Sequence, residues 1–285
     1  MKKLLKVLVP VLALALLANA GLAAPSGSLS TAGSTTVLPL AQIWAQAFME
    51  KYPETSVSVS GGGSGTGISM LLNGTVDVAN ASRQAKKKEI DTAKTRNAKL
   101  VETKLAKDGI ALIVHPSNNV KNLTMAQLAA VYGGKALNWK QVGGNNSRQL
   151  VVIGRDTSSG TYGFFQQAVL GGKAYRKDML SMASNAAVAQ AVAQSKDAIG
   201  YVGMAYAEHF EKEGKVRTIS LSRAKGEPGQ KPTVDAVKAG TYPLFRYLYS
   251  YTLGSPSGLA GEYLRWCTGP EGQAMVDDAG YVALK

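Results

Sequence analysis

The chain has 285 residues, with 32 Lys and Arg against 19 Asp and Glu, for a net charge of +13. Its single cysteine, Cys267, excludes an internal disulfide, and two histidines leave little material for a histidine-based catalytic or metal centre. A basic balance suits nucleic acid, an anionic membrane surface or an anionic small ligand. The cations are scattered, however, and the tight run Lys86-Lys87-Lys88 carries no interleaved aromatics. That run reads as a solvated face, and no nucleic-acid partner is expected.

Residues 1–23 read as a secretory signal peptide. Lys2, Lys3 and Lys6 form a basic start, Leu8 to Leu17 an apolar segment, and small residues follow. Cleavage after Ala20 and cleavage after Ala23 both fit the pattern. The segment is short for a membrane span, and the mature chain is expected to be exported and soluble. About 260 residues remain, enough for one large or two medium domains with a core that needs no staples.

The predicted elements alternate between helix and strand. Leu40, Ile43, Trp44, Ala47 and Phe48 recur at helical spacing, with Pro39 near the start, where its missing N–H costs little. Just before them, Gly33-Ser34-Thr35-Thr36 is rich in helix-capping residue types. A short strand at Val57–Val59 leads into Gly61-Gly62-Gly63-Ser64-Gly65-Thr66-Gly67, and a helix from Thr66 to Leu72 follows. Glycines allow close backbone approach, and the first N–H groups of a helix are unpaired donors at the positive end of its dipole. This loop is therefore a candidate anion site. It matches neither G-x-G-x-x-G nor the P-loop pattern, which argues against a nucleotide.

Val76–Ala79 reads as a further strand, followed by Ser82-Arg83. Ile110–Val114 is a continuous apolar run, as expected of a parallel strand buried on both faces, and Leu150–Ile153 and Ile199–Val202 are similar. Arg155-Asp156-Thr157-Ser158-Ser159-Gly160-Thr161 leaves the strand ending at Ile153 and enters a helical run with Phe164 and Phe165. In open α/β sheets ligands bind beyond the carboxyl ends of strands, and here that place offers a guanidinium, a carboxylate, hydroxyls and helix-start amides. A helical run at 186–194 and a surface loop at 226–232 complete the middle of the chain. Near the end, Cys267 follows Trp266 in an apolar helical pattern and reads as a buried small hydrophobe. The fold class is α/β.

At these loops the chain resembles the periplasmic phosphate-binding proteins that feed the high-affinity phosphate ABC transporter. The resemblance runs from Ala32-Gly33-Ser34-Thr35 through Gly63–Gly67, Val76–Arg83 and Lys107–Val114 to Arg155 with Ser158–Thr161. It continues in the tail at Gly269–Gln273 and Gly280-Tyr281-Val282. It implies two α/β domains around a ligand cleft. Residues 24–107 plus 247–285 would form one domain and 108–246 the other, closing by a hinge. It implies inorganic phosphate as ligand and no cofactor. Inner-membrane permease subunits would be the partners of a monomer in the periplasm.

Carried over by position, Ser34, Thr35, Ser64, Gly65 and Thr66 would contact phosphate from one side, with Ser82 on the third loop. Arg155, Asp156, Ser159, Gly160 and Thr161 would contact it from the other. Where some members place a proton-accepting carboxylate on the third loop, this chain has Ser82. Asp156 is the nearest substitute, either accepting a proton from phosphate or orienting Arg155, and the Ser82 hydroxyl is the other candidate acceptor.

Other readings compete, among them an adhesion or matrix protein of the cell surface, which would not need three converging anion loops, and two nearer ones. One is a binding protein for a different tetrahedral oxyanion such as sulfate. The other is an exported phosphate-ester hydrolase, against which stands the lack of any His/Asp/Glu cluster at metal-ligand spacing. No catalytic or metal-binding residue is assigned.

Overall fold

The structure is a computed structural model that describes residues 24–284; the expected signal peptide lies outside the described residues. The elements in chain order are β1 (Gly27–Gly33), α1 (Leu38–Lys51), β2 (Thr55–Ser60), α2 (Ser64–Leu72), β3 (Val78–Ala81) and α3 (Lys87–Thr95). The chain continues with β4 (Leu100–Val114), β5 (Asn122–Thr124), α4 (Met125–Tyr132), β6 (Val151–Arg155), α5 (Gly160–Leu170), β7 (Leu180–Met182) and α6 (Asn185–Ala193). Then come β8 (Ala198–Gly203), α7 (Met204–Lys212), β9 (Arg217–Ser222), α8 (Val234–Lys238), β10 (Phe245–Leu253), α9 (Gly258–Thr268) and α10 (Pro270–Ala274).

The strands follow the order β2-β1-β3-β10-β4-β8-β6-β7, with β9 beside β4 and β5 beside β9. β1 pairs in parallel with β2 and β3, and β6 in parallel with β7 and β8. Between these two parallel groups run the antiparallel strands β4 and β10. The Leu100–Gly109 part of β4 pairs with β10, while Ile110–Val114 pairs with β8 and, over its last three residues, with β9. One long strand thus carries the chain from one parallel group to the other, and β10 carries it back.

Each group has its own core. Leu29, Leu40, Trp44, Phe48, Leu105, Leu248, Tyr263, Cys267 and Tyr281 pack together, so the C-terminal helices close over the N-terminal sheet. Fully burying a side chain such as Phe48 contributes roughly 1.5–3 kcal/mol. The Trp44 indole N–H donates to the Gly272 carbonyl at 2.8 Å, fixing α1 against the tail. Val282 and Lys107 exchange backbone bonds of 2.8 and 3.0 Å, which pins the tail to β4. Cys267 is fully buried, and burial raises its thiol well above the ordinary range.

Ile110–Val114 departs from the expected parallel pairing, since both of its neighbours are antiparallel. The apolar run reports burial on two faces, not direction. Ile110, Leu112 and Val114 enter one core cluster and Ala111 and Ile113 another. Two boundaries also move. α2 begins at Ser64, two residues before the expected Thr66, and the third strand runs Val78–Ala81 instead of Val76–Ala79.

Candidate functional site

Loops at the ends of β1, β2, β3 and β6 meet where the two parallel groups face each other. After β1, the Ser34 hydroxyl accepts the amides of Thr36 and Val37 at 3.2 and 3.4 Å and so folds its own turn ahead of α1. The carbonyls of this turn are tied back by tyrosines: Tyr206 donates to Thr35 O at 2.9 Å and Tyr281 to Thr36 O at 2.8 Å.

The glycine-rich loop places Ser64 at the first position of α2, where its N–H has no partner inside the helix. Its hydroxyl accepts the Ser82 amide at 3.0 Å and lies 3.4 Å from the Ser82 hydroxyl, so the second and third loops are built on one another. Both serines are buried.

The loop after β6 touches this assembly directly. Ser158 O accepts the Gly65 amide at 2.8 Å, and the Ser158 hydroxyl oxygen lies 3.3 Å from Gly62 O. Gly63 has φ +100°, and a Cβ there would lie 2.6 Å from Ser158 Oγ. A Cβ on Gly160 would lie 2.2 Å from Ser64 Oγ and 2.6 Å from Ser82 Oγ. Only glycine permits this approach, and the cleft is closed. Ser159 caps α5, accepting the amides of Thr161 and Tyr162 at 3.1 and 3.3 Å, and Gly160 is that helix's first residue.

Arg155 ends β6 almost fully buried. Its Nε donates to Met182 O at 3.1 Å and its Nη2 to Ala183 O at 2.9 Å, while Nη1 has no acceptor among the described residues. Burial lowers its pKa to about 10, with Tyr201 and Asp156 opposing, so the group remains charged at neutral pH. Charge-assisted bonds from such a fork suit a tetrahedral oxyanion.

The resemblance to known proteins agrees with this geometry. A family model described as PBP superfamily domain matches residues 18–271. The phosphate-binding protein PstS of Bacillus subtilis strain 168 is 34% identical over 260 residues, covering 91% of this chain and 81% of that protein. The chain belongs to the PstS family within this superfamily. PstS of Pseudomonas aeruginosa PAO1 is 30% identical over 275 residues, 91% of this chain and 84% of that protein. Among solved structures, a Clostridium perfringens protein described as a phosphate ABC transporter substrate-binding protein with bound phosphate superposes with TM-score 0.80 at 30% identity. That match covers 91% of this chain and all of that one. An ABC-type phosphate transport receptor from Vibrio cholerae gives TM-score 0.69 at 28% identity, covering 89% of this chain and 99% of that one.

Within this PstS-family cleft the expected residues divide into two groups. Thr35, Ser64, Gly65, Ser82, Gly160 and Thr161 come together with Arg155 nearby. Thr66 does not join them: with α2 starting at Ser64, it falls on the exposed side of the first turn. Ser34 and Ser159 spend their hydroxyls on local amides. Asp156 makes no hydrogen bond to the Arg155 guanidinium. Its Oδ1 accepts the Ser158 amide and hydroxyl at 2.8 and 2.5 Å, because the turn brings its own residue two places on within reach. Two backbone carbonyls orient Arg155 in its place.

Five further residues stand outside the expected site set, although Thr36 and Arg83 lie in segments that the sequence marks as candidates. Thr36 Oγ1 accepts Asn185 Nδ2 at 3.2 Å, which also reaches Thr35 Oγ1 at 3.2 Å. Arg246 and Asp108 form a buried ion pair at 2.9 Å beneath them. Arg83 is buried at the rim, paired through both terminal nitrogens to Glu89 at 2.8 and 2.6 Å, which offsets its charge. Arg246 and Asp108 did carry a sequence signal. Phe245-Arg246-Tyr247-Leu248 alternates as a strand, with Arg246 on the side of Leu248. A charge at an inward position demands a partner.

Proposed function

We propose that this chain captures inorganic phosphate in the periplasm and delivers it to the inner-membrane subunits of an ABC permease. It would act as a binding receptor, without catalysing a reaction. The observation that carries the reading is the meeting of the Thr35, Ser64, Ser82 and Gly160–Thr161 loops, with Arg155 buried at the end of the strand that leads into the last of them, in a chain of the PstS family. A micromolar site needs about 8 kcal/mol net. Hydrogen bonds to a charged ligand, at roughly 1.5–3 kcal/mol each, supply that after ordering costs.

In this reading, residues 24–107 plus 247–285 form one moving domain and residues 108–246 the other, hinged at β4 and β10. The Arg155 Nη1 and the amides of Ser64 and Gly160, the first residues of α2 and α5, donate to the anion. In this reading the working unit is a monomer, which light scattering after gel filtration tests. For the proton that monohydrogen phosphate must donate, the acceptor in this reading is the Ser82 hydroxyl. Asp108 has both oxygens engaged by Arg246 and the Met204 amide, and Asp156 serves Ser158.

The test is calorimetric titration of the ligand-stripped protein, from residue 24 onward, with phosphate, arsenate and sulfate, combined with small-angle scattering. Saturable binding of phosphate with a smaller radius of gyration is expected. Absence of phosphate heat, or sulfate binding tighter than phosphate, overturns the assignment.

A further inference from the structure

Asp108 and Arg246 sit opposite each other in register on β4 and β10, at the point where β4 passes from one parallel group to the other. Both are buried, Asp108 completely. Burial pushes the Asp108 carboxyl up and the Arg246 guanidinium down, so the pair bears a desolvation cost from both sides. Buried ion pairs are poor devices for stability alone, since apolar residues of similar volume do as well or better.

The geometry shows what the pair holds in place. Asp108 Oδ2 accepts Arg246 Nε at 3.2 Å and Nη2 at 2.9 Å, which fixes the guanidinium plane. The same Nη2 lies 3.3 Å from Thr36 Oγ1 and 2.9 Å from Thr161 Oγ1. Thr36 belongs to the loop after β1 and Thr161 to the start of α5, on opposite sides of the cleft. The two hydroxyls are themselves 3.1 Å apart. Phe164, one turn along α5, lies against the guanidinium at 5.6 Å. Arg246 Nη1 is buried and has no partner among the described residues, so the group keeps a donor that the protein does not use.

We infer that Arg246, positioned by Asp108, is the hinge-side latch of the cleft, bridging the Thr36 and Thr161 hydroxyls when the loops close over phosphate. This inference rests on the phosphate reading of the same cleft. A latch made only in the closed form slows release and leaves encounter nearly unchanged.

The experiment measures phosphate association and release by stopped flow on the ligand-stripped chain, with wild type as reference. In the Asp108→Asn/Arg246→Gln double variant, which leaves no buried charge behind, release should quicken at least tenfold while association stays within threefold. Thr36→Val, which removes the hydroxyl that accepts from Arg246 and pairs with Thr161, should quicken release about threefold. Arg246→Lys keeps the charge without the fork and should fall between wild type and the double variant.

A merely structural pair would lower the melting temperature of the ligand-free protein and leave release untouched. A folded double variant with release within twofold of wild type overturns the latch. If the double variant does not fold, an unchanged release rate in Thr36→Val does the same. Wild-type protein that binds no phosphate overturns the functional reading and the latch with it. Normal wild-type binding with unaltered variants overturns the latch alone.

Discussion

Two arginines are buried in the cleft and are held in opposite ways. Arg155 is held by the neutral carbonyls of Met182 and Ala183. Arg246 is held by the carboxylate of Asp108. The first keeps its full positive charge and a guanidinium corner for a ligand. The second is neutralised in place and serves geometry. A desolvated cation without a carboxylate is a costly thing to build unless an anion arrives to complete it.

That contrast breaks cleanly under parallel substitutions. Arg246→Met leaves Asp108 buried and unpaired, and the ligand-free protein should lose about 3–5 kcal/mol of stability, read by urea unfolding. Arg155→Met removes a charge that has no carboxylate partner, so stability should hold or rise, while phosphate affinity falls at least ~100-fold, about 2.7 kcal/mol. Equal destabilisation by the two variants would erase the distinction.

The next largest effect sharpens the comparison at the point of contact. Gly160→Ala sets a methyl group 2.2 Å from Ser64 Oγ in the closed form. That overlap arises only when the loops meet. Phosphate affinity should drop roughly tenfold, about 1.4 kcal/mol, with the compaction on binding lost. Ligand-free stability should change little, since Gly160, the first residue of α5, does not use a positive φ that Ala would resist. Normal compaction in scattering would show that the loops close less tightly than described.

Ser82→Ala probes the proton acceptor and should cost phosphate about 1 kcal/mol, near fivefold. Sulfate has no proton to give and should lose less. Competition titrations of phosphate against sulfate read the difference, and equal losses would remove Ser82 from that role.

Much of this site was legible in the chain because its parts are local. A glycine-and-hydroxyl run between a strand and a helix writes its geometry into consecutive residues, as in Gly61–Gly67 and Ser158–Thr161. The same locality made the α/β alternation readable. β1 escaped because Gly27-Ser28-Leu29-Ser30-Thr31 carries little apolar content, and its pairing with β2 and β3 supplies the order. Asp108 and Arg246 escaped because their meaning depends on a contact between residues 138 apart in sequence. The direction of Ile110–Val114 escaped because burial on two faces is the same for parallel and antiparallel neighbours.

The smallest effect concerns Asp156, beside the larger effects of its neighbour Arg155. Its Oδ1 accepts both the amide and the hydroxyl of Ser158, and Ser158 in turn holds Gly62 and Gly65 across the cleft. Asp156 thus acts on closure through a loop. Asn keeps an oxygen at the same position, so Asp156→Asn should shift phosphate and sulfate affinity together and by less than about twofold, or ~0.4 kcal/mol. Asp156→Ala frees Ser158 and should weaken both anions about fivefold, near 1 kcal/mol, the usual contribution of such a bond. The ratio of the two affinities is therefore the decisive number. A proton acceptor would move that ratio, because only phosphate carries a proton to donate. Competition titration of the Asn variant that weakened phosphate and spared sulfate would make Asp156 the acceptor, and Ser82 would become its support.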